Sequence, residues 1–297
     1  MRNASLGCRQ DIDLRLLIPA LFVFATTGSP AASTPELPVI DTIEQWCGGL
    51  AKDLKSVDRK RCLLRPWQID TRSNGQIIIP HFQWGEEKGR RIIIMGGIHG
   101  DEISAISLVF RWIDFLENVS LDSELRKMRF LFLPLLNPDG YWSKPRTRTN
   151  LMAVDLNRNF ETKSWREEAI KYWVSKTKKD KRRYPGHEPA SETETQYFQK
   201  VIADFKPEII ISVHAPYGIL DHDGKLEFPK NLRSPLPVKT LGSFPGSLGR
   251  YAGIDRKIPV ITVELTEARQ MPGSKAVEDL LTFVLNSKAE GMQSVVR

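Results

Sequence analysis

His99 and Glu102 stand three residues apart in GGIHGDEISA (96 to 105), directly after the apolar run RIIIM. Side chains at i and i+3 share one face of a helical turn, so an imidazole and a carboxylate at this spacing can bracket one ion. The glycines at 96, 97 and 100 let the backbone turn sharply. A catalytic zinc commonly takes three protein ligands, His₂Glu being one such set, and leaves its fourth position to water. His214, closing the run EIIISVH, offers the third ligand, and Glu264 ends PVITVEL. A second cluster, PRTRTNLMAVDLNRNF (145 to 160), carries Arg146, Arg148, Asn157 and Arg158. A guanidinium grips a carboxylate bidentately. Arg146 fits an exposed loop, whereas Arg158, between two asparagines and close to Phe160, suits an ordered polar pocket. Of the other histidines, His81 lies in a strand-like run as a core or edge residue and His187 in a solvated loop. His222 in DHDG is a minor candidate for lining a cleft near His214.

Apolar runs at 76 to 82, 91 to 97, 129 to 136, 208 to 214 and 259 to 265 predict strands. Several are continuously apolar, as in strands covered on both faces. Helical patterns lie between them. ISAISLVFRWIDFLENV follows the second run, SETETQYFQKVIADF opens with Ser191 and Glu194 spaced as a capping box, and SKAVEDLLTFVLNS repeats its apolar residues at helical spacing. Strands alternating with helices mean an α/β sandwich around a mostly parallel sheet. In such sheets the ligand crevice forms beyond the carboxyl ends of the strands. His99, Glu102, Asn137, His214 and Glu264 all fall at those ends.

The chain has 297 residues, 41% hydrophobic and 27% charged, enough to bury a full core. Arg2, Arg9 and Arg15, then LLIPALFVFATT and GSPAAS, have the order of a secretory signal peptide, with cleavage near Ala31 or Ala32. The expected organisation is a signal peptide over 1–32, a linker over 33–40 and a single catalytic domain over 41–297. The apolar run is short for a bilayer span, so stable membrane insertion is not expected. In an oxidising compartment Cys47 and Cys62, the pair left after the leader, would close a loop of about 15 residues, a bridge of roughly 3 kcal/mol. The formal charge of +7 falls to +6 when the leader's three arginines and two aspartates are removed. The run KTKKDKRRY (176 to 184) reads as a solvated loop, with an anionic polymer as the alternative partner, and no nucleic-acid motif accompanies it.

HGDE, NPDG, DLNRNF, SETET, SVHAP and VITVEL, in this order over about residues 76 to 290, resemble the zinc carboxypeptidase superfamily related to carboxypeptidase A. The HAP after the third ligand and GSLGRYAG (246 to 253) are similar to its small bacterial branch, which includes murein peptide amidases and peptidoglycan D,L-carboxypeptidases. The resemblance implies a three-layer α/β sandwich, a mixed and mostly parallel sheet with helices on both faces. It implies one Zn²⁺ on His99, Glu102 and His214, and Glu264 as general base, with Glu267 open for a swapped role. Arg148 would meet the oxyanion, with Arg146 as the alternative, and Asn157 and Arg158 would hold a terminal carboxylate. Tyr217 and Tyr251 are the candidates for the family's substrate-covering tyrosine. The implied substrate of an exported protein is a peptidoglycan stem peptide, cut between γ-D-glutamate and meso-diaminopimelate. An N-acyl amino acid deacylase resembling aspartoacylase, or a wall-peptide-binding protein without activity, are the competing readings.

Overall fold

The computed structural model describes residues 37–289. The leader and Cys8 lie outside the described residues. Two helices come first, α1 (Ile43–Asp53) and α2 (Arg59–Leu64). Thr42 accepts the Gln45 N–H while the Gln45 side chain returns to the Thr42 backbone, a reciprocal cap that starts α1. Cys47 and Cys62 form a disulfide between the two helices. Ile40, at the end of the expected linker, is already buried and its carbonyl accepts the Ile78 N–H.

The chain then alternates between strand and helix. β1 (Gln68–Arg72), β2 (Ile78–Gly85) and β3 (Arg91–Met95) lead to α3 (Ile103–Glu117). β4 (Arg129–Leu133), the short α4 (Pro138–Trp142), α5 (Trp165–Ser175) and α6 (Thr193–Phe205) follow. β5 (Ile209–His214), β6 (Ile219–Asp223) and the two-residue β7 (Leu226–Glu227) precede a π-helix at Gly249–Asp255. β8 (Val260–Glu264), α7 (Ser274–Leu285) and β9 (Lys288–Ala289) complete the described chain. The seven-stranded sheet runs β1-β2-β4-β3-β5-β8-β6. Its central strands β4, β3, β5 and β8 are mutually parallel, and β1, β2 and β6 join antiparallel at the edges.

Successive strand residues point to opposite faces, and this alternation builds two cores. Ile92, Ile94, Phe130, Phe132, Ile211 and Val213 pack under α1, α3 and α7. Ile93, Met95, Leu131, Leu133, Ile210 and Val260 pack under α6 and the π-helix. The chain is thus a mixed α/β sandwich with helices on both faces of the sheet. On the second face the alternation continues through Ser212 and His214 of β5, Thr262 and Glu264 of β8, and Asp221 and Asp223 of β6. The polar end of that face becomes a cleft.

Two details differ from the sequence reading. The capping box expected at Ser191 and Glu194 does not form: α6 starts with Glu192 at its N-cap and no side-chain cap bond. Glu194 instead turns inward to the Asn74 N–H at 3.2 Å, and Ser191 Oγ donates to Glu192 at 2.6 Å. The strand expected at 76 to 82 starts at Ile78, because Gln76 is left-handed (φ 65°), and runs on to Gly85 while its pairing with β4 continues.

Candidate active site

The turn after β3 delivers His99 and Glu102. Gly97 takes φ 59°, and a Cβ on Gly100 would lie 2.1 Å from the Gly140 carbonyl carbon, so the loop can lie against α4 only with glycine there. Glu102 is the N-cap of α3 but makes no capping bond. Its carboxylate is turned instead to His99 Nδ1 (2.8 Å) and His214 Nδ1 (3.2 Å). The two Nδ1 atoms face each other at 3.3 Å. The remaining ring nitrogens are held from behind: Asp155 Oδ1 stands 3.2 Å from His99 Nε2, and Ser212 Oγ 3.0 Å from His214 Nε2. Lone pairs of two imidazoles and one carboxylate therefore converge, with outer partners fixing the ring orientation, as in metal sites.

Among the described residues His99, Glu102 and His214 form a buried donor set with one ligand atom each, all within 4.8 Å of one another. Two imidazole nitrogens at contact distance beside an ionised carboxylate suit a divalent cation, and the His₂Glu composition suits zinc. Burial pushes the Glu102 carboxyl up, but the imidazoles of His99 and His214 outweigh it and hold the carboxyl below its ordinary value.

Glu264 pairs in register with His214 across the parallel β5 and β8, so both side chains leave the sheet on the same side. It is 6% exposed and lines the cleft. Burial raises its carboxyl above the ordinary value, opposed by His214 and reinforced by Glu102. Glu267 is exposed and contributes its backbone carbonyl to Ser104 Oγ, outside the cleft lining. Arg148 donates through Nε to Asp155 at 2.9 Å and places Nη1 3.2 Å from His99 Nδ1 and 3.5 Å from Glu102. Asn137, the N-cap of α4, fixes this stretch by donating to the Ile98 and Arg148 carbonyls. Arg146 points elsewhere. It pairs with Asp53 and lies over the Tyr141 ring at 4.7 Å, outside the cleft lining that includes Arg148.

Asn157 and Arg158 both line the cleft, of about 560 Å³. Asn157 Oδ1 accepts the Leu248 N–H at 2.9 Å. Arg158, 7% exposed, rests over Phe244 at 4.6 Å and leaves its Nε without a hydrogen-bond partner. Tyr217 is 60% exposed on the cleft rim, whereas Tyr251 is buried against Phe160 and cannot reach it. His81 is bonded to Tyr197 Oη in the interior and His187 is exposed. His222 faces the opposite side of β6, edge-on to Phe228, and does not line the cleft.

Sequence reasoning passed over four groups. Asp155 lay inside the quoted DLNRNF block without a role, although an acid between Val154 and Leu156 signals burial. Ser212 is marked by the polar alternation in SVH. The same period exposes Asp221 and Asp223 in DHD, both of which line the cleft. The basic run at 176 to 184 is not simply solvated: Arg182 and Arg183 line the rim, and Arg182 pairs with Asp101 at 2.7 Å.

The zinc carboxypeptidase family model matches residues 69–219. Murein peptide amidase A of Vibrio campbellii is 31% identical over 188 residues, covering 60% of this chain and 71% of that protein. Among solved structures, murein-tripeptide amidase MpaA from Escherichia coli O157 is similar with a TM-score of 0.50 at 24% identity, over 74% of this chain and 90% of that one. Carboxypeptidase A from Helicoverpa armigera is similar with a TM-score of 0.56 at 15% identity, over 85% of this chain and 73% of that one. The likeness to these two structures is one of fold.

Proposed function

The chain belongs to the zinc carboxypeptidase family, and from that premise we propose that it hydrolyses the terminal amide bond of murein stem peptides, between γ-D-glutamate and meso-diaminopimelate. The observation that carries this reading is the convergence of His99, Glu102 and His214, with Glu264 in register beside His214. The Vibrio relative, named for murein peptides, supports the substrate class.

Zinc bound in an open His₂Glu set supplies Lewis acidity toward a carbonyl oxygen and a water whose pKa falls to about 7. His99, Glu102 and His214 would hold it. Glu264 removes the proton of the attacking water and returns it to the leaving amine. Arg148, locked by Asp155, presents its guanidinium to the oxygen on which negative charge develops. Asn157 and the buried Arg158 take the free terminal carboxylate and so confine cleavage to the last residue.

The signal-peptide pattern and the Cys47–Cys62 bridge support a reaction outside the cytoplasm. Mass spectrometry of a muropeptide panel incubated with zinc-loaded protein is expected to find free diaminopimelate, lost on adding a chelator. Glu264→Gln should retain tripeptide binding and lower kcat by about 10²- to 10⁴-fold. Turnover of acyl amino acids in place of muropeptides would favour the deacylase reading. Tripeptide binding with no turnover in the unaltered protein would favour a binding protein.

A further inference from the structure

The cleft is lined by charges of both signs, Arg158 on one wall and Asp221 and Asp223 on another. Arg158 leaves its Nε unbonded. On the β6 wall, Asp221 and Asp223 are two apart and share a face, paired in register with Thr262 and Val260 of β8, which also line the cleft. Asp221 is 4% exposed, and its carboxylate accepts the Leu241 N–H at 3.1 Å. Asp223 packs so closely on the π-helix that a Cβ on Gly249 would lie 1.8 Å from its Oδ2, and one on Gly253 2.6 Å from its Cβ. The surrounding backbone thus leaves room for this carboxylate only because glycine stands at both places.

Buried carboxylates without a cation cost free energy that a bound cation can return. Burial pushes Asp221 upward and Asp223 up to about 6, Asp223 helped by its neighbour, which is the signature of a pair waiting for positive charge. A guanidinium with an unbonded Nε and a pair of acids in one cleft match an amino acid that carries a free carboxylate at one end and a side-chain ammonium at the other. Leu248, which donates to Asn157, immediately precedes the Gly249 that cradles Asp223, so clamp and acid wall share one backbone segment. The apolar Leu248 and Thr262, the strand partner of Asp221, offer no competing charge.

We propose that Asp221 and Asp223 are the specificity-determining residues of the cleft and receive the side-chain ammonium of the residue being released. The inference rests on the carboxypeptidase reading and narrows it to diamino acids at the terminal position. Substrates sharing the same γ-D-glutamyl portion but ending in meso-diaminopimelate, or in 2-aminopimelate, which keeps the distal carboxylate and lacks the ammonium, isolate this group.

Zinc-loaded protein should cleave the diaminopimelate peptide with a kcat/KM about tenfold or more above that of the aminopimelate peptide. In Asp221→Asn/Asp223→Asn that ratio should collapse to within about threefold. Calorimetry provides a readout apart from turnover: free diaminopimelate should bind the unaltered protein about tenfold more tightly than 2-aminopimelate, and the double substitution should abolish the difference. Equal binding of the two ligands by the unaltered protein overturns the proposal even if the variant does not fold. So does an unchanged ratio in a variant with native circular dichroism and zinc content. Discriminating binding without cleavage of either peptide would instead defeat the hydrolase reading while sustaining the ammonium site.

Discussion

Arg148 and Arg146 are two residues apart, yet their guanidiniums lie in different surroundings. Arg148 is anchored by the buried Asp155 and reaches the edge of the metal-ligand set, while Arg146 is tied to Asp53 and stacked on Tyr141 away from the cleft. Arg148→Ala is therefore expected to lower kcat by about 10²- to 10³-fold, the cost of losing one oxyanion donor. Arg146→Ala should leave kcat within about twofold, as for a surface substitution. Steady-state kinetics on one tripeptide substrate checks both, and equal losses would mean that the two guanidiniums act together. At this scale the ligands were legible because chemistry restricts them: few residue types bind zinc, and each stood at the end of an apolar run. The choice between the arginines was not, because residue spacing cannot show which way a loop side chain turns. Asp155 was hidden for a related reason, since its partners lie 56 residues back and seven residues back in sequence.

A second polar network, away from the cleft, links α4 and α6 to the turn before β2. Asp139 of α4 and Glu194 of α6 are both fully buried and meet at the Ser73–Gly75 turn, where Ser73 Oγ and the Gly75 N–H donate to Asp139 and the Asn74 N–H to Glu194. Burial, with Asp139 nearby, pushes the Glu194 carboxyl up to about 8 from an ordinary 4.5. The folded state then keeps a proton that the unfolded chain releases above 4.5, so this group's stabilising effect is present at low pH and is lost as pH rises toward 8. Glu194→Gln, neutral throughout, should flatten the fall in melting temperature between pH 5 and pH 8. An unaltered slope in thermal melts would contradict the raised Glu194 carboxyl. The five apolar strands and the three long helices between and after them were readable from periodicity. The edge strands β1 and β6 were not, because QIDTR and ILDHD place too few side chains in the core to carry that signal. Glu194 looked like a capping residue because local spacing says nothing about the Asn74 turn 120 residues earlier.

Across the whole molecule, the sheet gathers at one edge what the chain disperses over 165 residues, from His99 to Glu264. The cores on both faces hold the strand ends rigid, and the Cys47–Cys62 bridge restricts the unfolded chain by roughly 3 kcal/mol in the loop-entropy model. Cleft charge was the property least visible in advance. A basic run that reads as solvated supplies Arg182 and Arg183 to the rim, and the acids facing the cleft come from a short edge strand with few apolar residues. The central claim is that His99, Glu102 and His214 close around one divalent cation. Anomalous diffraction at the zinc edge from crystals of zinc-loaded protein tests it most directly. The expected map holds a single strong peak about 2.0–2.2 Å from one atom of each of the three residues, with Glu264 beside its open position. A peak bound instead by Asp221 and Asp223, or none near His214, would contradict the account.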